Sequence, residues 1–201
     1  MLKAVNLGLK RGDNLLFEGM DWSIEAGGAL ILNGPNGSGK SSLLRVIAGL
    51  LAPSQGYVEC QGEKAHKAEG YRMAVHYVGH LNPLKPVFSV FENVKFWSEV
   101  HGGGEIASAL EAFGLGSLED VPGRLLSSGQ KRRVVLAHLL TVSRRIWLLD
   151  EPSVGLDEGS VAALVVAMES HRKKGGVIVA ATHGELELRK AMTISLGAGS
   201  A

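Results

Sequence analysis

Residues 34–41 read Gly-Pro-Asn-Gly-Ser-Gly-Lys-Ser, which fits the pattern G-x-x-x-x-G-K-[ST]. Glycines at that spacing let the backbone approach an anion, and successive N–H groups point at its oxygens beside a helix N-terminus. Lys40 would neutralise the β- and γ-phosphates of a nucleoside triphosphate, and Ser41 would hold Mg²⁺ through its hydroxyl. A second stretch, "RIWLLDEP" at 145–152, ends an apolar run in two adjacent acids. A buried carboxylate needs a partner, and the carboxyl end of a parallel strand is where ligands bind, so Asp150 stands where Mg²⁺ belongs. Glu151, one residue on, can reach a water in line with the γ-phosphate as general base. The plainer alternative is a capped, solvated strand end. The third stretch is "LLSSGQKRR" at 125–133, where Ser127, Ser128 and Gly129 form a small polar start to a helix. Alone it is an ordinary cap. Beside an existing phosphate loop, a second anion site suggests a grip on the nucleotide of another subunit.

These residues need rigid elements to place them. "ALILNG" is a short apolar run entering the glycine loop, hence a buried strand, and "KSSLLRVIAGLL" sets Leu43, Leu44, Ile47 and Leu50 at helical spacing before Pro53. Strand, glycine loop and helix in that order are the context the phosphate pattern requires. "MLKAVNLGLKR" and "FEGMDWSIEAGG" read as short strands, with "GYVEC" and "MAVHYVG" as further ones. From Pro83 to about Leu140 helices are expected at 88–100, 104–113 and 129–141. The tail returns to alternation: strand "RIWLLD", helix 158–173, strand "GVIVAAT" and a last helix–strand pair. The pattern predicts an α/β nucleotide-binding core, 1–82 and 142–201, carrying a helical subdomain at about 83–141.

Composition narrows the classes. The chain has 201 residues, enough for one sizeable core, with 21 basic and 20 acidic side chains and no long basic run. A nucleic-acid binder held by phosphate contacts is therefore not expected. Cys60 is the single cysteine, so no internal disulfide forms and a reducing compartment is expected. Cys60 itself reads as a half-buried strand residue. Met1–Asn6 has no apolar run behind it that would make a signal peptide, and the stretches at 134–142, 161–168 and 175–182 are too short to span a bilayer. The expectation is a soluble chain.

Together the three stretches resemble the ATP-binding cassette family of ATPases. "LSSGQ" at 126–130 is similar to that family's signature, "EPSVGLD" at 151–157 resembles its D-loop with Asp157, and "ATH" at 181–183 resembles its switch histidine, His183. The resemblance implies a P-loop ABC ATPase core with an N-terminal antiparallel β subdomain and a helical signature subdomain. It implies ATP and Mg²⁺ as ligands, with Gly34, Pro35, Asn36, Gly37, Ser38, Gly39, Lys40, Ser41 and Ser42 around the phosphates. It also implies two cassettes, expected to be identical, closing head to tail so that Ser127 and Gly129 touch the partner's γ-phosphate. Glu151 would then act as base, with His183 ordering the attacking water.

The chain departs from that family at three places. Ser128 replaces the first signature glycine, His80 stands where a glutamine usually reads the γ-phosphate through Mg²⁺, and Arg11 occupies the place of the adenine-stacking aromatic. The guanidinium plane of Arg11 could stack instead. "YVGH" followed by "LK", then "ENVKFW", resembles the ATP-binding subunits of haem exporters in cytochrome c maturation. That implies integral membrane subunits as partners, a place at the cytoplasmic face of an inner membrane, and work tied to haem export or haem-chaperone release. Another small exporter is the alternative, and a soluble cassette outside transport the more distant one. The histidines are scattered, and none reads as a haem ligand. In "PVFSVFENVKFW", Phe88, Phe91, Phe96 and Trp97 read either as subdomain core or as a groove for a helix of the membrane partner.

Overall fold

The structure, a computed structural model, describes residues 1–182, 186 and 188–197. It divides into two compact units, one of Met1–Tyr77, Arg144–Glu151 and Ser170–Ala201, the other of Val78–Ser143 and Pro152–Glu169.

The first unit opens with β1 (Leu2–Arg11) and β2 (Asn14–Ile24), strands of 10 and 11 residues, longer than the short ones expected. With β4 (Gln55–Cys60) and β5 (Glu63–Lys64) they form an antiparallel sheet of order β2-β1-β4-β5. A register shift between Ala4 and Leu7 lets Leu2 and Ala4, then Leu7 and Leu9, all reach the core from one strand. Asn6 takes the left-handed conformation there (φ 46), and its N–H donates to Asp21 Oδ1 at 2.9 Å. Cys60 ends β4 half-buried, as expected.

A second sheet has the order β6-β7-β8-β3-β9, from β6 (Val75–Val78), β7 (Ile146–Asp150), β8 (Val177–Ala181), β3 (Ala29–Asn33) and β9 (Met192–Ser195). The pairs β7–β8, β8–β3 and β3–β9 are parallel. β7 and β8 are buried along their whole length, which explains why their sequences run apolar without alternation. On one face Leu30, Leu32, Leu148 and Val179 join a core with Leu43, Leu44 and Ile47 of α1 (Lys40–Ile47). Pairing of Asp150 with Ala181 and of Ala181 with Leu32 aligns the carboxyl ends of three strands.

One expectation changes. Met73 and Ala74, read as strand, end a helix, α2 (Glu69–Ala74), because fully buried Tyr71 anchors that turn by donating its hydroxyl to the Ile47 carbonyl at 2.6 Å. The helix expected before the last strand falls partly outside the described residues. Among the described ones, 188–191 hold a turn with Lys190 left-handed (φ 55).

The second unit is helical: α3 (Val90–Val100), α4 (Ile106–Ala112), α5 (Ser128–Thr141) and most of α6 (Glu158–Lys173). α3 begins in a reciprocal cap between Ser89 and Glu92 and buries Val90, Asn93, Val94 and Ser98, a single helical face. The aromatics of this stretch are half-buried beside that face, so the core reading passes to these smaller residues. Phe88 meets Phe96 edge-on at 6.2 Å, and Lys85 Nζ lies 4.3 Å from the Phe96 ring centre. Among the described residues no helix is long and apolar enough to cross a membrane.

Candidate nucleotide site

In the first unit, β3 delivers the chain into the glycine loop, and α1 starts at Lys40. Its N-cap is Gly39 at φ 100, a left-handed conformation that a side chain would strain, and no side chain caps the helix. The first N–H groups of α1 are thus left for an external anion. Lys40, 6% exposed, folds back over the loop and donates to the Gly34 carbonyl at 2.6 Å and the Pro35 carbonyl at 3.1 Å. Its ammonium therefore lies above the loop's own backbone. Ser42 is buried beneath, and Ser38 Oγ is buried with no hydrogen-bond partner among the described residues.

Ser41 Oγ donates to Asp150 Oδ1 at 3.0 Å, although 109 residues separate them. Asp150 is 2% exposed at the end of β7. One hydroxyl and one carboxylate oxygen together are hard donors that suit Mg²⁺, which is held by one or two protein oxygens and completed by phosphate and water. Glu151 follows in the left-handed region (φ 47), unusual for glutamate, and its N–H donates to the Ala181 carbonyl at 3.0 Å. That turn takes Glu151 out of the extended backbone of β7. Nearby, burial pushes the Tyr77 phenol up, the Asp150 charge adds to this, and a hydrogen bond with Arg45 offsets part of it.

In the second unit, Ser127 is the N-cap of α5. Its Oγ accepts from Gln130 N–H at 3.2 Å, and Gln130 Oε1 accepts from Ser127 N–H at 2.8 Å. The cap read from "LSSGQ" is thus present as a reciprocal box. At Gly129 a side chain would stand 2.6 Å from the Gly155 carbonyl, so this glycine is needed for packing within the unit too. Asp157 Oδ1 accepts from Ser160 N–H at 2.8 Å, and the Ser160 hydroxyl and backbone hold its carboxyl below the usual range. His80 is exposed on the segment after β6.

The structure thus brings Gly34–Ser42, Asp150 and Glu151 together in one unit and carries His80, Ser127, Gly129 and Asp157 in the other. Arg11 is exposed at the β1–β2 turn, paired with Asn14. His183 lies outside the described residues. Two residues went unread from the sequence. Asn93 holds the loop before α3, accepting from Lys85 N–H at 2.8 Å and donating to the Lys85, Phe88 and Ser89 carbonyls. Arg132 is buried on the apolar face it shares with Leu136 and Leu139, and a charge at that spacing was the available signal.

Residues 17–154 match the ABC transporter family. The cytochrome c biogenesis ATP-binding export protein CcmA of Paramagnetospirillum magneticum is 45% identical over 200 residues, 96% of this chain and 92% of its own. Among solved structures, an ABC transporter ATP-binding protein from Pyrococcus furiosus has a TM-score of 0.85 at 27% identity, over 97% of this chain and 96% of its own. The dimeric ATP-binding cassette MJ0796, bound to ADP and Pi, shares the fold with a TM-score of 0.82 at 24% identity, over 98% and 94% of the two chains. A glycine loop on an uncapped helix, an acid pair at the end of a buried strand and a family match across both units lead to one conclusion: the chain belongs to the ABC transporter family.

Proposed function

We propose that this chain is the ATP-hydrolysing subunit of a membrane complex that exports haem, or releases it from a haem chaperone, in cytochrome c biogenesis. The observation that carries the chemistry is the Ser41–Asp150 hydrogen bond, which sets the loop's hydroxyl against the strand-end carboxylate one residue before Glu151. Lys40 neutralises the β- and γ-phosphates, with Gly34–Ser42 wrapping them. Ser41 and Asp150 would hold Mg²⁺, whose positive charge would offset that of the phosphate oxygens. Glu151 takes a proton from the attacking water as its oxygen bonds to the γ-phosphorus and the bond to the β-phosphate oxygen breaks. His183 orders that water, His80 senses the γ-phosphate, and Arg11 stacks on the adenine. Ser127 and Gly129 meet the nucleotide of a second, identical subunit; the cassette MJ0796, which shares the fold, is dimeric.

The helical subdomain, about 83–141, is the part that meets the membrane subunits at the cytoplasmic face. Val87 and Leu125 are more than half exposed there, and Arg124 N–H, donating to the Pro86 carbonyl at 2.9 Å, draws their segments together. The export role is supported by the names of relatives that match nearly the whole chain. A pull-down of the tagged Glu151→Gln chain with ATP, from detergent-solubilised host membranes, tests it. Recovery of polytopic cytochrome c maturation subunits is expected. Recovery of other membrane proteins would leave the ATPase and remove haem, and soluble partners alone would remove export as well.

A further inference from the structure

Arg132 stands three residues past Gly129 in α5 and is only 3% exposed. A guanidinium at that depth must find acceptors for its donors or the charge is prohibitively costly. Its Nε donates to the Pro152 carbonyl at 3.2 Å. Its Nη1 donates to the Gly79 carbonyl at 2.9 Å and to Asn82 Oδ1 at 3.3 Å. Two of these acceptors flank His80 in the chain, and the third directly follows Glu151. The fork of an arginine can hold such spread acceptors in one plane, which an ammonium cannot.

We propose that Arg132 is a positioning residue for ATP hydrolysis, tying the His80 segment and the peptide after Glu151 to the helix that begins at Ser127. Arg132 stands five positions past Ser127, about 7.5 Å along the axis, a span that behaves as a rigid rod. A shift of His80 on meeting a γ-phosphate is passed through the Gly79 carbonyl and Asn82 to Arg132, and so to the start of α5. The same cation steadies the chain as it leaves Glu151. The proposal rests on the nucleotide-site reading of His80 and Glu151 given above. It adds the residue that makes those stretches move together, which is a requirement for coupling between them.

The test is steady-state ATP hydrolysis by the full chain carrying Arg132→Gln, Arg132→Lys, Asn82→Ala, the Arg132→Gln/Asn82→Ala double change, or His80→Ala. Arg132→Gln is expected to lower kcat about ten- to a hundredfold, the scale of a misplaced but intact catalytic group. KM for ATP should move by less than about threefold, since no phosphate contact is removed. Arg132→Lys should recover part of kcat. The double variant should be no slower than Arg132→Gln, because both changes cut one connection. Wild-type kcat in Arg132→Gln, full recovery with lysine, or independent multiplication of the two single effects overturns the proposal. Should Arg132→Gln fail to fold, Asn82→Ala decides: lowered kcat at an unchanged melting temperature supports it, and unchanged kcat overturns it. His80→Ala separates the two kinds of failure. If it keeps wild-type kcat, the reading of His80 falls and the proposal with it. If it lowers kcat while Arg132→Gln does not, only the proposal falls.

Discussion

Two helices of this protein begin at glycine- and serine-rich turns, and they begin differently. α1 has left-handed Gly39 at its N-cap and no side-chain cap, so its first N–H groups point into the loop unsatisfied by the protein's own side chains. α5 begins with Ser127 and Gln130 closing on each other, two of its orphan donors and acceptors already matched. Under the function proposed above, the difference separates a site that binds from one that is presented. In that reading a phosphate completes the uncapped start, aided by Lys40. The self-capped start is stable alone, keeps its shape before any nucleotide arrives, and suits a surface offered to a partner's ligand.

The largest effects are expected at the uncapped helix start. Lys40→Ala should lower ATP hydrolysis at least about a hundredfold, the scale of removing one charged donor from a transferring phosphoryl group. Glu151→Gln should cost about 10²–10⁴ in rate while leaving ATP binding intact, as loss of a general base does. Rates from phosphate release, beside binding from fluorescent-nucleotide titration, check both. Equal loss of binding in the two variants would contradict the assigned roles.

Ser127→Asp acts on the self-capped start. A carboxylate at this N-cap still caps α5 and favours the helix dipole, so the melting temperature should hold or rise slightly. The same charge should repel a partner's γ-phosphate, so ATP-dependent dimerisation in the Glu151→Gln background, read by light scattering, should be lost. Persistence of the dimer would sink the presented-surface reading.

A smaller effect belongs to the first unit, where His171 stacks on Trp147 with ring centres 4.1 Å apart. Burial holds the His171 imidazole down at about 4, below its ordinary 6.5. The folded state favours the neutral ring, so this contribution is complete above pH 6.5. It is lost progressively as pH falls toward 4, where the unfolded chain takes up a proton that the folded chain refuses. Urea unfolding at pH 7.5 and pH 5 should show that loss, and His171→Leu should reduce the difference between the two. The smallest effect is Ser127→Ala, which removes one half of the capping box and should cost about 1 kcal/mol in the same unfolding measurement. No change there would mean that water replaces the cap.

What the amino-acid order determined by itself is what acts over a few residues. The glycine spacing of 34–41, the box between Ser127 and Gln130, the unbroken apolar runs of β7 and β8 and the 3.6-residue spacing of α1 all lie within one turn or one strand. Their physics is local, so they could be read without coordinates, and the family resemblance rested on the same stretches. The strand expected at Met73–Ala74 failed for the complementary reason: Tyr71 is anchored to Ile47, 24 residues back, and that contact overrides local preference. Only the tertiary structure set Ser41 against Asp150 and revealed which carbonyls Arg132 holds, because those partners come from segments 109, 53 and 20 residues away. It alone also separated the small buried face of α3 from the half-exposed aromatics beside it, since helical spacing states which residues share a face but not which face the rest of the chain covers.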